Sequence, residues 1–192
     1  MRKKIVLVFL LFFLTLSGII AYDKLSIQSL ASTIAAPSVI GQDTSGDPVR
    51  LKIPILQIDA AVERVGVLLD GQMDVPKKSD NVGWFDLGSV PGSSGSAVMA
   101  GHFDGKNGSP AVFAKLDELK VGDKVIVERT TASPLVFIVK GTRVYDPGFA
   151  DEVFGQSDGS HLNLITCDGT WDGMKKSYSK RLVVFTDLVQ GE

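Results

Sequence analysis

The sequence predicts an all-β domain, a closed or nearly closed barrel of eight short strands with one or two short helices, preceded by an N-terminal transmembrane helix. The chain of 192 residues is long enough to bury one sizeable core. Apolar runs rich in β-branched residues recur between Gly, Pro and Asp turn signals, as in all-β domains. These runs do not alternate with helical segments, which argues against a doubly wound parallel sheet.

The first segment, residues 1–22, combines three basic residues with an uncharged and mostly apolar run from Ile5 to Tyr22. A helix of this length just crosses a hydrocarbon core of roughly 30 Å. The basic flank is expected to stay in the cytoplasm. This predicts a single-pass protein of the cell membrane with the rest of the chain extracellular. The alternative is a signal peptide that is cleaved after a small-residue site within residues 31–35.

Residues 23–47 are rich in Ser, Ala, Thr, Gln, Gly and Pro, a composition that predicts an extracytoplasmic linker. The folded domain is expected over residues 48–192. Its strand-like runs begin with VRLKIPILQI and DAAVERVGVLL, and a turn at Asp70-Gly71 predicts a short returning strand from Met73 to Pro76. The later runs are SAVMAGHF, KVIVERT, LVFIVKGTRVYDP, LNLIT and RLVVFTDLV.

Two segments carry helical signals. The stretch SPAVFAKLDEL spaces its apolar residues as a helix does, with Ser109 as N-cap and Pro110 in the first turn, and predicts a helix of two or three turns. The connection from Pro147 to Ser160 includes a predicted helical turn at Asp151 to Phe154. Its length makes this connection a candidate binding loop.

Charge and composition exclude two classes of partner or cofactor. The chain has 20 basic and 22 acidic residues, a net charge of −2, and so lacks the basic field that nucleic-acid binding needs. No cluster of His, Cys, Asp and Glu has metal-ligand spacing. The sequence therefore predicts no nucleic-acid partner, no metal and no cofactor.

The only cysteine, Cys167, follows the apolar run LNLIT and precedes a loop-like stretch rich in Gly, Asp and Ser. In an oxidising compartment an exposed thiol tends to pair, and a single cysteine has no partner in its own chain. Two interpretations stay open from these residues alone. The thiol is a catalytic nucleophile at the rim of a sheet, or it is a buried residue that packs as a small hydrophobe.

A reaction becomes conceivable if Cys167 meets His102, at the end of the strand SAVMAGHF, and Arg181, at the start of the last strand. A cysteine attacks as its thiolate, and an imidazole can take the proton and later protonate a leaving amine. An arginine can hydrogen-bond a developing oxyanion. These are the parts of acyl transfer through a thioester, although separation along the sequence does not establish that the three residues meet.

Three ordered patterns carry a resemblance to a known family. They are Ala100-Gly101-His102 at a strand end, Ile165-Thr166-Cys167 after Leu-x-Leu, and Arg181 directly before a Val-rich terminal strand. The segments LKVGDKVIV and GWF and the N-terminal anchor add to it. From Val49 to Val189 the chain resembles the sortase family of cysteine transpeptidases, closest to the compact class E or class F type. No acidic cluster matches the calcium site of class A members.

The resemblance implies an eight-stranded sortase barrel that cleaves an LPxTG-like signal between Thr and Gly and passes the acyl group to an amine. Its implied partners are secreted proteins with a C-terminal signal and an amine acceptor such as a cell-wall precursor. It implies Cys167 as nucleophile, His102 as acid and base, and Arg181 as the contact to the substrate carbonyl and oxyanion. The implied peptide-binding residues are Ala100, Ile165, Thr166, Phe149, Val153 and Phe154.

Three other functions compete with this one. An L,D-transpeptidase also combines Cys, His and Arg, but it would need a histidine shortly before the cysteine in an SHGC-like context, whereas His161 lies six positions upstream of Cys167 in a different context. The chain is otherwise an anchored binding module with an inert cysteine, or a degenerate sortase. Adduct formation with a sorting peptide separates these from an active transpeptidase.

Overall fold

The computed structural model describes residues 46–148, 151–155 and 158–189. The predicted transmembrane helix, residues 23–45 of the predicted linker and Phe149 lie outside these residues. In the described part of the chain no helix is long and apolar enough to cross a membrane. The elements are β1 (Pro48–Ile53), β2 (Ile58–Val65), β3 (Val82–Phe85), β4 (Gly95–Gly101), β5 (Lys124–Arg129), β6 (Leu135–Tyr145), α1 (Asp151–Phe154), β7 (Ser160–Asp172) and β8 (Ser177–Leu188).

The eight strands close into one barrel in the order β1-β2-β3-β4-β7-β8-β6-β5, which confirms the predicted fold class. Two neighbouring pairs, β2 with β3 and β4 with β7, run parallel, and the remaining pairs are antiparallel. Because carboxyl ends of parallel strands meet at one edge, the residues that follow β4 come to lie beside the later part of β7.

The barrel interior is filled by alternate residues of each strand, as the period of two requires. Buried side chains from all eight strands form a single apolar cluster, which includes Ile53, Trp84, Met99, Phe137 and Leu164. Each large apolar side chain that is fully buried contributes roughly 1.5–3 kcal/mol. The cluster fixes which residues face outward: on β7, Leu162 and Leu164 point inward, so Ile165 and Cys167 belong to the outer face.

A second, smaller apolar cluster lies outside the barrel. Val98 of β4, Val183 of β8 and Val153 of α1 are each about 1% exposed, and Phe85 and Ile165 pack against them. The side-chain amide of the buried Asn163 donates to the Val153 carbonyl oxygen at 2.7 Å. The predicted helical turn at Asp151–Phe154 is therefore present and is held against the outer face of the sheet.

The strand count is as predicted, but one strand is a different segment. Residues 73–76 form no strand, since Met73 only makes an isolated bridge with Val67. The eighth strand is β3, whose residues Val82, Gly83 and Trp84 are buried between β2 and β4. Alternation predicts a strand equally well in both segments, and burial of the aromatic run favours β3.

The predicted helix over SPAVFAKLDEL is also wrong. The segment forms turns and one short 3-10 helix, Leu116–Glu118. Its backbone amides are used elsewhere: Ala111, Val112 and Phe113 donate to the carbonyl oxygens of Phe103, Ser79 and His102 at 2.9–3.1 Å. These bonds tie the segment to its neighbours in place of the bonds to the fourth preceding residue that an α-helix needs. The helical spacing instead buries Phe113, Leu116 and Leu119.

Candidate active site

Cys167 lies within β7, which continues to Asp172, and so the loop predicted directly after it is a strand of a long hairpin with β8. The cysteine stands directly opposite Arg181 in the antiparallel register of the two strands. Directly opposed residues share a face, with their Cβ atoms about 4.5–5.5 Å apart. The thiol is free and partly exposed. The fold thus brings together two of the three residues that the sequence singles out.

His102 is the first residue after β4, and the parallel register of β4 and β7 places it beside Cys167. Ala100 is opposite Ile165, and the Thr166 hydroxyl donates to the Gly101 carbonyl oxygen at 2.9 Å. His102 and Cys167 are each two residues past the matched pair. Because parallel neighbours lie about 4.8 Å apart, the imidazole and the thiol come out at the same edge of the sheet.

The His102 ring is held by the connection between β2 and β3. Its Nε2 lies 2.9 Å from the carbonyl oxygen of Pro76. A carbonyl oxygen only accepts hydrogen bonds, so Nε2 carries the hydrogen and, in the neutral ring, Nδ1 is the basic nitrogen. The contact fixes both the orientation and the tautomer of the imidazole.

The guanidinium of Arg181 bends back along the start of β8. Its Nη1 donates to the carbonyl oxygens of Tyr178 and Lys180 at 3.0 and 2.8 Å, and Nη2 donates to Ser177 Oγ at 3.1 Å. These bonds hold the positive charge of Arg181 close to Cys167, where it lowers the pKa of the thiol. Arg181 is therefore an ordered positive charge beside the nucleophile.

Burial raises the pKa of the Cys167 thiol above its ordinary value, the positive charge of Arg181 lowers that pKa, and the carboxylate of Asp104 raises it further. Burial is the largest of the three effects. The resting site therefore holds a protonated thiol at neutral pH, and attack on a substrate requires a neighbouring base to remove the proton.

A groove of about 440 Å³ on the outer face of the barrel reaches Arg181, the residue opposite Cys167. Its floor includes Ala100, Ile165, Val183 and Arg181, and one wall is α1. A second part of the lining comes from the connection between β2 and β3. The lining residues from α1 and this connection include Val153, Phe154, Val67, Gly71, Gln72, Met73 and Val75.

Ala100, Ile165, Val153 and Phe154, four of the predicted peptide-binding residues, line this groove. Thr166 does not: its side chain is 3% exposed, points inward and bonds the Gly101 carbonyl. The alternation of a strand explains the difference, since Ile165 and Thr166 must face opposite sides.

Sequence reasoning missed the wall formed by residues 67–75. Its signal was the run GVLLDGQM, in which Leu68 and Leu69 come directly before the Asp70-Gly71 turn and are both exposed, Leu69 fully so. Exposed apolar residues beside a turn indicate a surface that contacts something other than the core.

A second missed feature lies on the other side of Cys167 from the groove. The rings of Phe103 and Trp171 both pack edge-on against Tyr178, at centroid distances of 5.7 and 5.2 Å. The Tyr178 hydroxyl donates to Asp104 Oδ2 at 2.8 Å. The strand and turn patterns of the sequence give no reason to notice Asp104, which this contact with Tyr178 brings into view.

His161 is far from the nucleophile. It lies six residues before Cys167 on the same extended strand, a separation of about 20 Å. Its ring bonds Asp187 and the Asp158 carbonyl oxygen. Among the described residues, no group of three or more His, Cys, Asp or Glu side chains is placed to hold a metal ion.

Comparison with known proteins identifies what this arrangement resembles. The family model described as a sortase domain matches residues 51–189. A search of curated proteins found no match.

Among solved structures, sortase C-1 from Actinomyces oris is similar at 25% identity, covering 76% of each chain with a TM-score of 0.60. Sortase A from Corynebacterium diphtheriae is 19% identical, covering 76% of this chain and 62% of that one, with a TM-score of 0.60. Sortase C from Clostridium perfringens SM101 is 22% identical, covering 77% and 72%, with a TM-score of 0.56. Assignment to class E or class F stays a prediction.

Proposed function

This chain belongs to the sortase family of cysteine transpeptidases, and we propose that it cleaves an LPxTG-like sorting signal between Thr and Gly through a thioester on Cys167. The acyl group then passes to an amine. The observation that carries the proposal is the register that sets Cys167 opposite Arg181 and beside His102.

In the acylation step His102 Nδ1 takes the proton of the Cys167 thiol, and the sulfur attacks the carbonyl carbon of the threonine. The carbonyl oxygen gains negative charge, which the guanidinium of Arg181 stabilises. When the C–N bond breaks, the protonated imidazole gives its proton to the departing glycine amine. This leaves a thioester, with the acyl carbon on sulfur and the neutral imidazole restored.

The groove supports an apolar peptide segment ahead of the threonine. Ala100, Ile165 and Val183 form an apolar floor, and Phe154 of α1 covers one side. A Leu-Pro pair fits this lining because it offers little polar surface to desolvate. Phe149, which the resemblance also implies as a peptide contact, lies outside the described residues and stays a prediction.

The proposed partners follow from this chemistry. The donor is a secreted protein with a C-terminal LPxTG-like signal, and the acceptor is an amine such as that of a cell-wall precursor. We place the protein in the cell membrane, with residues 1–22 as a single-pass anchor and the catalytic domain outside, because an enzyme of this kind meets both partners at the external surface. The basic residues before the apolar run support this orientation.

The test uses the full-length protein in detergent with a library of LPxTG-like peptides and several amines. Mass spectrometry is expected to find an acyl adduct on Cys167 and an amide product that joins the peptide to the amine. The matched control is Cys167→Ala, which removes the chain's only thiol. Absence of any Cys167-dependent adduct across the library would favour an inert binding module or a degenerate sortase.

A further inference from the structure

We propose that Asp104, with the aromatic cluster of Phe103, Trp171 and Tyr178, forms a binding site for the acceptor as a primary ammonium group, such as a lysine-type side chain. This inference rests on the proposed transpeptidase function and names the chemistry of its second substrate. The site lies after β4 and on the outer part of the β7–β8 hairpin, next to Cys167.

The two sides of Cys167 differ in character. Toward the middle of the barrel are the apolar floor residues Ile165 and Val183, which the sorting peptide occupies. Toward the hairpin tip are Tyr178 and Trp171, paired with each other in the register of β7 and β8. Because the peptide fills one side, the leaving amine departs and the acceptor enters from the other.

Asp104 is suited to hold a cation. Its carboxylate accepts a hydrogen bond from the neutral Tyr178 hydroxyl, and among the described residues it has no ion pair. Two basic residues of the β7–β8 hairpin have other partners: Arg181 bonds carbonyl oxygens and Ser177, and Lys180 pairs with Asp146 at 2.7 Å. An arriving ammonium would complete a charge-assisted bond that the protein itself leaves unmade.

The Asp104 carboxylate disfavours the Cys167 thiolate electrostatically. It therefore opposes the first half of the reaction, in which the thiolate attacks. Its benefit comes in the second half, when the sulfur is acylated and uncharged and a cationic acceptor must be recruited. The rings of Tyr178 and Trp171 add aromatic faces of the kind that attract an ammonium group.

The transfer step balances as follows. The bound ammonium loses one proton to water and becomes the neutral amine. Its nitrogen attacks the thioester carbonyl, the C–N bond forms, and the C–S bond breaks. The second proton leaves the nitrogen for His102 and passes to the departing Cys167 sulfur, so that an amide and a free thiol result and one proton is released to solvent.

The test compares Asp104→Asn with wild type, using the full-length protein, an LPxTG-like peptide and two acceptors. The asparagine keeps an oxygen for the Tyr178 hydroxyl and removes only the charge. With Nα-acetyl-lysinamide as acceptor, kcat/KM for the amine is expected to fall about tenfold, which corresponds to roughly 1.4 kcal/mol. With hydroxylamine, which is uncharged at neutral pH, it is expected to stay unchanged, and the rate of thioester formation is expected to be retained or increased.

The matched control is Asp117→Asn, which removes an exposed carboxylate from the 3-10 helix between β4 and β5 and changes net charge equally. It is expected to behave as wild type with both acceptors. An equal loss for both acceptors in Asp104→Asn, or no loss for either, would overturn the inference while leaving the transpeptidase function intact.

A binding measurement tests the acceptor site at Asp104 without a sorting peptide. Titration of the unacylated protein with Nα-acetyl-lysinamide is expected to shift the indole N–H resonance of Trp171 in wild type and to leave it in place in Asp104→Asn. Trp84, buried in the barrel with its indole bonded to the Ser89 carbonyl, is the internal reference. If no thioester forms, the proposed function fails; if the Trp171 shift is absent or independent of Asp104, the acceptor site fails.

Discussion

His102 Nε2 lies 2.9 Å from the carbonyl oxygen of Pro76, and this bond connects the proposed base to a loop that is anchored on β2. Glu63 provides the anchor: its carboxylate accepts from the Lys77 backbone N–H at 2.9 Å and from the Asn81 amide at 2.7 Å. These bonds also lower the pKa of Glu63, the backbone bond from Lys77 most of all. Glu63 is therefore a positioning residue that acts through Pro76 on His102.

Glu63→Ala is expected to lower kcat by about 10-fold to 100-fold, because loss of the anchor misplaces the imidazole. The loss should be smaller in Glu63→Gln, which retains one acceptor oxygen. Steady-state cleavage of a sorting peptide measures kcat, and nitrogen NMR of His102 measures the tautomer, which a purely structural role for Glu63 would not change. Glu118→Ala, on an exposed turn, is the control.

Gly83→Ala tests the contact between Pro76 and His102 by crowding Pro76. A Cβ at this buried position would lie 2.9 Å from Val65 Cγ1 and 3.1 Å from Pro76 Cδ, so the Val65 side chain must shift and Pro76 must be displaced slightly. Activity is expected to fall together with the fraction of His102 in the Nε2–H tautomer. Lost stability with an unchanged His102 resonance would contradict the positioning role.

The pH dependence of Cys167 alkylation follows from its surroundings. Because burial and Asp104 raise the thiol pKa, the alkylation rate is expected to rise with a midpoint above that of an unperturbed thiol. Asp104→Asn is expected to move the midpoint down, and Arg181→Gln to move it up, because each removes one charge effect of opposite sign. Reaction with iodoacetamide across a pH series gives the midpoints.

Asp168→Asn is the control for these variants. Asp168 follows Cys167 directly, but it is opposite Lys180 and its side chain alternates to the other face of β7. Its removal is expected to leave the midpoint in place. A shift equal to that of Asp104→Asn would mean that overall charge, and not the position of Asp104, sets the thiol pKa.

Thr166 and Asp104 show how much of the candidate site can be predicted from the sequence. The strand pattern around Ile165 and Cys167 predicts the barrel and the position of its reactive edge, because a period of two is local information. The resemblance implies a place for Thr166 in the groove, but the alternation of β7 turns its side chain inward, where it is 3% exposed. Asp104 becomes visible only through its contact with Tyr178, 74 residues away.

Phe154→Ala is expected to weaken peptide binding and to leave the chemical step largely intact. The Phe154 ring lines the groove and packs edge-on against Phe85 at a centroid distance of 5.3 Å. Truncation of such a wall costs roughly 1–3 kcal/mol of binding, or about 10-fold to 100-fold in KM. Steady-state kinetics with an LPxTG-like peptide separate KM from kcat.

The control for Phe154 is Val144→Ala, which trims an exposed side chain of β6 that does not line the groove. It is expected to leave KM unchanged. If Phe154→Ala lowered kcat with KM unaltered, the Leu-Pro part of the signal would have to bind elsewhere.

The bond between His161 and Asp187 predicts a pH-dependent contribution to stability. The Asp158 carbonyl oxygen raises the pKa of His161 most, burial opposes it, and the Asp187 carboxylate raises it further. Since the pKa is higher in the folded state, the stabilisation is fully present below the unfolded value of about 6.5. It is lost as pH rises through the raised folded value.

The unfolding temperature of His161→Gln is therefore expected to lie furthest below that of wild type at pH 5 to 6 and to approach it above the folded pKa of His161. Asp187→Asn should lower the pKa of His161 and so narrow the pH range in which His161 stabilises the fold. It also removes the ion pair of Asp187 with Lys140. Thermal unfolding of the three proteins across pH measures the effect. A difference between wild type and His161→Gln that grew with rising pH would reverse the sign and show that His161 is buried as the neutral ring, because only then would charging it oppose folding.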